Sequence, residues 1–256
     1  MKIVILAGGL GTRLLAEEST IPKPMVEIGQ RPILWHIMNI YSDYGFNDFI
    51  IALGYKSEVI KNYFINYHSI SQNLNINLAT TKITIHSNSS EKWRVDLIDT
   101  GLNTLTGGRV LRLRKLLNDQ TFMLTYGDGL ADINILELLN FHKSHGKLMT
   151  VSAVRPPARF GELVFDATGA VEHFTEKPQI GDGWINGGFM VCEPEIFSYL
   201  EKNGDQASLE TDALESLAQN GELRAYAVSE FWQCMDTPRD KLQLENLWQS
   251  GEAPWE

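Results

Sequence analysis

Residues 2–14 read KIVILAGGLGTRL. Lys2–Leu6 is a short, mostly apolar run of the kind that forms a buried strand, and Gly8, Gly9 and Gly11 follow it at once. A glycine-rich turn after a first strand offers backbone N–H groups to a ligand, and phosphate oxygens suit them. Spacing narrows the phosphate chemistry. The dinucleotide fingerprint G-x-G-x-x-G needs a third glycine where Leu14 stands, and no acidic residue closes a clear strand at the distance needed to hold a ribose. The Walker loop needs G-x-x-x-x-G-K-[ST], and no Lys-Ser or Lys-Thr follows these glycines. A tight turn alone explains one or two glycines, not three with an arginine. What remains is Arg13 at the end of the loop and Lys23 ten residues on, between Pro22 and Pro24. An arginine brings a fork of donors. A lysine between two prolines is an ammonium on a stiff stalk, suited to a charge that develops at a fixed place.

Downstream, strand-like and helix-like segments alternate. PILWHIMNIYSDYG (32–45) puts Ile33, Leu34, Ile37, Ile40 and Tyr41 on one helical face, with Pro32 in the first turn. DFIIAL (48–53) reads as a strand and SEVIKNYFINY (57–67) as a helix with Ser57 as its N-cap. TFMLTY (121–126) is a strand, INILELLNFHKSHG (133–146) a helix and LMTVSAV (148–154) a strand. This rhythm predicts an α/β fold: a Rossmann-like, doubly wound sheet, mixed but mostly parallel and flanked by helices. Two regions break it. Residues 74–99 carry short alternating runs that read as antiparallel strands, added to the sheet or projecting from it. Residues 159–191 hold a hairpin turning at Ala167–Gly169 and then the glycine-rich strand INGGFMV. They predict a small antiparallel lobe. Helices are expected near 208–220 and 238–249, the second opened by Thr237 and Pro238. With no repeat and no linker, 1–256 reads as a single domain with strands embedded at about 74–99 and 159–191.

The composition is that of a soluble globular chain: 43% hydrophobic, 21% charged, formal net charge -10 over 256 residues. So acidic a surface disfavours nonspecific nucleic-acid binding, but a few cations focused in one cleft can still hold small anions. No apolar run reaches the length of a membrane helix, and no charged leader precedes the first strand, so no membrane partner and a cytoplasmic location are expected. Cys192 and Cys234 read as buried reduced thiols. His142 and His145, three apart on a helix without a ligand framework around them, read as a solvated face rather than a zinc site.

The candidate carboxylates are scattered. Asp128 lies just past a strand between Gly127 and Gly129, where ligands gather in parallel sheets, although a Gly-Asp-Gly turn reads the same way. Asp236, before the last helix, could bind a metal or cap the helix; Asp132 and Asp240 are the alternatives. In HFTEKP, Glu176 and Lys177 stand after a strand; in WINGGFM, Asn186 and Gly187 offer an amide and room for a ring. A lysine suits a phosphate, and a carboxylate and an amide suit paired hydroxyls. EKP alone is equally a surface turn.

In order, GGLGTRLLAEESTIPKPMVEIGQRPIL (8–34), YGDGLAD, HFTEKP and WINGGF resemble the signature of the sugar-phosphate nucleotidyltransferases. The resemblance implies that Leu6, Ala7, Gly8, Gly9, Leu10, Gly11 and Thr12 cradle a nucleoside triphosphate, with Arg13 and Lys23 as the catalytic cations on its phosphates. It implies Mg²⁺ on Asp128 and Asp236, with Gly127 at the nucleotide. Gly161, Glu176, Lys177, Asn186 and Gly187 would hold the sugar phosphate. The segment DTGLNTLTGGRVLRL (99–113) takes the place where the family reads the base, which assigns Thr104, Thr106, Gly107 and Arg109. TGGR, DTG, FWQCMDTPRDK and SGEAPW resemble the members that use cytidine nucleotides. They imply transfer of CMP from CTP to α-D-glucose 1-phosphate, by a homo-oligomer such as a hexamer, for dideoxyhexoses of lipopolysaccharide O-antigen. The alternatives are dTTP or UTP as donor and, further off, a dinucleotide-dependent oxidoreductase. Ile21 stands where a basic residue is expected, which bears on contacts to the outer phosphates.

Overall fold

The computed structural model describes residues 1–9, 21–86, 91–117, 120–156, 162–165, 170–175 and 183–256. Its strands are β1 (Lys2–Leu6), the short β2 (Glu27–Ile28) and β3 (Arg31–Pro32), β4 (Asp48–Leu53), β5 (Asn73–Asn77), β6 (Lys82–His86), β7 (Arg94–Asp99), β8 (Phe122–Tyr126), β9 (Gly129–Ala131), β10 (Met149–Val154), β11 (Glu162–Phe165), β12 (Val171–Thr175), β13 (Ile185–Cys192), β14 (Leu223–Val228) and β15 (Trp232–Cys234). The helices are α1 (Ile33–Ser42), α2 (Ser57–Ile65), α3 (Tyr67–Ser71), α4 (Thr106–Arg112), α5 (Arg114–Leu117), α6 (Ile135–His145), α7 (Phe197–Leu200), α8 (Glu215–Gln219) and α9 (Pro238–Gln249). Seven strands form the main sheet in the order β14-β10-β13-β8-β1-β4-β7. Six run parallel; β13 is antiparallel to both its neighbours.

The apolar run at the N-terminus becomes a central strand because both faces of the sheet are covered. Ile3 and Ile5 enter one core with α1 and α6, while Val4 and Leu6 enter the other with α4 and α7. β4 divides in the same way: Phe49, Ile51 and Leu53 to the first core, Ile50 and Ala52 to the second. This is the mixed, mostly parallel sheet that the alternating segments predict. Among the described residues no helix is long and apolar enough to cross a membrane.

Three local expectations need correction. Residues 94–99 are not part of an antiparallel lobe: β7 pairs with β4 in parallel and forms the edge of the main sheet. Among the described residues of 74–99, β5 and β6 form a separate ribbon, with every residue exposed. Ser57 is the first residue of α2 rather than its cap; Lys56, in a left-handed conformation, holds that place, and its side chain makes no capping hydrogen bond. His142 and His145 are not a solvated pair. His142 is 1% exposed, and both rings lie 2.8 Å from the Thr150 hydroxyl.

Because β1, β4, β7 and β8 are parallel, their carboxyl ends meet at one edge of the sheet. Beyond it, the ribbon β9–β15 pairs Gly129 with Cys234, and the Met235 N–H donates to the Asp128 carbonyl at 2.8 Å. The register therefore sets residues 128 and 236 side by side.

Candidate functional site

A cavity of about 600 Å³ opens over these strand ends. Leu6, Ala7, Gly8 and Gly9 border it after β1, Tyr126, Gly127 and Asp128 after β8, and Leu102 to Thr106 with Arg109 on a third side. Lys23, Pro24 and Asp236 complete it.

Lys23 sits in a tight turn closed by the Met25 N–H on the Pro22 carbonyl at 2.8 Å. Its Nζ lies 2.6 Å from Asp128 Oδ2 and 2.5 Å from Asp236 Oδ1. Burial alone would lower the pKa of this ammonium, but the two carboxylates outweigh burial and hold it above the usual lysine value. Gly127 makes the approach possible: a β-carbon there would stand 2.8 Å from the Leu6 carbonyl oxygen and 3.1 Å from Pro24 Cγ. Asp240 resolves the ambiguity at the start of α9. It forms the capping box with Thr237, and its Oδ2 accepts from the N–H groups of Asp236 and Thr237 at 3.1 and 2.8 Å. The Asp236 carboxylate is thereby left to face Lys23. Two carboxylates converging on one cation also describe a place for a divalent metal. The Cys234 thiol, raised to about 12 by burial and by the nearby aspartates, stays protonated 3.6 Å from Asp236 Oδ2.

Arg109 was expected to donate to a base. Its guanidinium instead donates to protein oxygens: Nη1 to the Leu53 and Gly101 carbonyls and the Thr100 hydroxyl at 3.0, 2.7 and 2.8 Å, Nη2 to the Gly8 and Leu102 carbonyls at 2.9 and 3.3 Å. It ties the ends of β1, β4 and β7 together. Gly8 is a glycine for the same reason, since a β-carbon there would lie 2.2 Å from Arg109 Nη1.

Leu6, Ala7, Gly8, Gly9, Lys23, Thr104, Thr106, Arg109, Gly127, Asp128 and Asp236 thus share one cavity. Gly107 does not border it. A β-carbon on Gly107 would meet Leu200 Cδ2 at 2.7 Å, so packing against α7 explains the glycine. Asn186 and Gly187 lie outside the wall on β13. Gly187 is needed beside Val154 and Ser152, and the Asn186 amide Nδ2 is 3.5 Å from the Tyr126 hydroxyl. Leu10, Gly11, Thr12, Arg13, Gly161, Glu176 and Lys177 fall outside the described residues. Sequence reasoning missed Leu102, Asn103, Leu105 and Tyr126. Leu102 and Leu105 are half-exposed apolar residues bordering a cavity, and Tyr126 is the last residue of the strand that delivers Asp128.

A sequence model of the nucleotidyl transferase family matches residues 2–249. A glucose-1-phosphate cytidylyltransferase of Salmonella typhi is 50% identical over 257 residues, covering 100% of this chain and 98% of the relative. A probable glucose-1-phosphate cytidylyltransferase of Bacillus subtilis is 42% identical over 255 residues, covering 100% and 99%. Among solved structures, HddC from Yersinia pseudotuberculosis superposes with a TM-score of 0.71 at 26% identity, covering 96% of this chain and 99% of that one.

Proposed function

The chain belongs to the nucleotidyl transferase family, and from that premise we propose that it transfers CMP from CTP to α-D-glucose 1-phosphate, giving CDP-glucose and pyrophosphate. The observation that carries the reading is the Lys23 ammonium held between Asp128 and Asp236 at the carboxyl ends of parallel strands. The relatives' names support CTP and glucose 1-phosphate as the substrate pair.

The attacking oxygen of the sugar phosphate is already an anion at neutral pH, so no general base is required. Its bond to the α-phosphorus forms while the bond from that phosphorus to the bridging oxygen of pyrophosphate breaks, and pyrophosphate leaves with the electron pair. The protein's task is positioning and charge neutralisation. Asp128 and Asp236 would hold Mg²⁺, a hard ion that takes one or two carboxylates with phosphate oxygens and water. Bound there, it would neutralise charge on both substrates. Lys23 and Arg13 serve the triphosphate, from the stiff Pro22–Pro24 stalk and from the glycine loop. Arg109 holds the Gly8 backbone that faces the nucleotide, Thr104 and Thr106 line the base and ribose side, and Leu102 and Leu105 give the base an apolar surface. Gly161, Glu176, Lys177, Asn186 and Gly187 serve the sugar phosphate.

The protein assembles as a homo-oligomer through the β5–β6 ribbon. On its one face Leu74 pairs with Ile85 and Ile76 with Ile83, all exposed, and a lone two-stranded ribbon is barely stable in water. Light scattering of the purified protein tests this; a monomer overturns it. The reaction is tested by pyrophosphate release with glucose 1-phosphate, Mg²⁺ and CTP, UTP or dTTP in turn. CTP is expected to be the fastest donor; faster release with UTP or dTTP, or none with CTP, overturns the assignment.

A further inference from the structure

The wide helical turn Leu209–Leu214 carries a carboxylate that no step above uses. Glu210 is half-buried, and its oxygens bind groups from elements far apart in the chain. Oε1 accepts from the Tyr126 hydroxyl at 2.7 Å. Oε2 accepts from the Thr106 hydroxyl at 2.7 Å and the Ser208 hydroxyl at 2.9 Å. Burial alone would raise the pKa of this carboxyl, but the hydroxyl donors outweigh it and hold the group below the usual range. As an anion it only accepts, so Thr106 and Tyr126 must both point their protons at it, which fixes both hydroxyl rotors.

Those two side chains stand on different walls of the cavity. Thr106 opens α4, and its oxygen also accepts from the Leu209 N–H at 2.9 Å, so both its donor and an acceptor lone pair are engaged. Tyr126 ends β8, two residues before Asp128. Its ring packs where Gly188 has no side chain: a β-carbon there would lie 2.8 Å from Tyr126 Cδ2. Its hydroxyl is 3.5 Å from the Asn186 amide, whose oxygen accepts from the Gly188 N–H at 2.9 Å.

We propose that Glu210 is a positioning residue: one carboxylate fixes the nucleotide wall at Thr106 relative to Tyr126 and Asn186 on the sugar-phosphate side. The inference rests on the nucleotidyl-transfer reading of the same cavity. An in-line attack is sensitive to such spacing, and a misplacement of about 1 Å can cost a hundredfold in rate. Glu210→Gln keeps the shape but turns one acceptor into a donor, which cannot take a proton from both walls.

The test measures steady-state pyrophosphate release with whichever triphosphate the wild-type protein uses fastest. It adds calorimetric binding of that triphosphate without sugar phosphate, and thermal melting. For Glu210→Gln, kcat is expected to fall about tenfold to a hundredfold, while the triphosphate Kd and both KM values move less than about threefold. Tyr126→Phe, which removes only the hydroxyl, should lower kcat in the same way. The double variant should be no slower than the slower single one, since both break one link. If Glu210→Gln fails to fold, Tyr126→Phe carries the test. A kcat within about twofold of wild type in the folded variants overturns the inference. So does a loss matched by weaker triphosphate binding and a lower melting temperature, which marks a merely structural role. A wild-type protein that prefers another triphosphate to CTP overturns the substrate assignment and leaves this test in force.

Discussion

Replacing Lys23 with methionine should slow nucleotidyl transfer and, in the ligand-free protein, tighten the binding of Mg²⁺. The two effects have opposite signs because Lys23 does two things. In the proposed reaction it would stabilise phosphate charge; without substrates it occupies the carboxylates that a divalent cation would use. Its Nζ lies 2.6 and 2.5 Å from Asp128 and Asp236. A charge-assisted hydrogen bond is worth about 1.5–3 kcal/mol net. The aspartate side chains are 34% and 30% exposed, so solvent screens the pair, and the two contacts together are taken as about 1.5–3 kcal/mol. At about 1.36 kcal/mol per decade, freeing the carboxylates should tighten Mg²⁺ about tenfold to a hundredfold. Because the Lys23 pKa is raised, Lys23 stays charged up to the ordinary lysine value, so on the alkaline side the competition is lost only as pH rises through the folded-state value. Turnover should fall at least about a hundredfold, the usual loss on removing one preorganised donor. Methionine is an unbranched side chain of similar length without the charge, which keeps the comparison clean. Calorimetric titration of Mg²⁺ without nucleotide, alongside pyrophosphate release, reads both effects. Unchanged or weaker Mg²⁺ binding would refute the competition, and near-wild-type turnover would refute the phosphate role.

Arg109→Gln should raise the KM for CTP at least about tenfold, because the Gly8 carbonyl loses its charged donor, and should lower the melting temperature, because the Gly101 and Leu102 carbonyls lose theirs. Thr237→Ala removes the cap of α9 and should cost about 1 kcal/mol. That is about 2–4 °C in melting temperature, with a further loss of turnover if the cap also aims Asp236. His145 gives a pH signature: burial first, then His142, Arg224 and Lys147, lower its pKa. A depressed histidine stabilises the fold fully above its unfolded pKa near 6.5 and loses that contribution as pH falls through the folded value. Denaturant melts from pH 7.5 to 5 should show this decline, and His145→Gln should flatten it.

The parts of the fold legible in sequence were those whose burial is symmetric. KIVIL and DFIIAL are continuous apolar runs because helices cover both faces of the sheet, and such runs read as strands without ambiguity. RVDLID misled because an edge strand is only half-buried and alternates, which reads as antiparallel. His142 looked solvated because its partners, Thr150 and Glu193, lie on other elements. At the site, Lys23 declared itself through its flanking prolines. Asp236 and Asp240 could not be told apart from spacing alone, since both chemistries suit a helix start; the capping box separates them. Gly187 reads as room for a ring, and Gly107 as part of the base site through the resemblance, because a sequence shows a missing β-carbon but not the neighbour it would meet. Glu210 carried no motif.

The place of Arg109 follows from where acceptors gather. Parallel strands that end together leave their last carbonyls without sheet partners, a cost the fold has to meet with donors. Here Arg109 donates to the carbonyls of Leu53, Gly101, Gly8 and Leu102, adding to the Thr100 N–H on Leu53 and the Tyr55 N–H on Gly8. The same device recurs among the carboxylates: Asp240 takes the N–H groups at the start of α9, so the Asp236 side chain is not drawn into capping. Arg109 and Asp240 are both polar side chains turned toward backbone groups of the protein. A charged residue at a strand end is therefore assigned to ligand or scaffold by counting the backbone groups it must satisfy. By that count Arg109 and Asp240 are scaffold, while Lys23, Asp128 and Asp236, joined by short charged hydrogen bonds, are the groups that the proposed phosphate and metal contacts would rearrange.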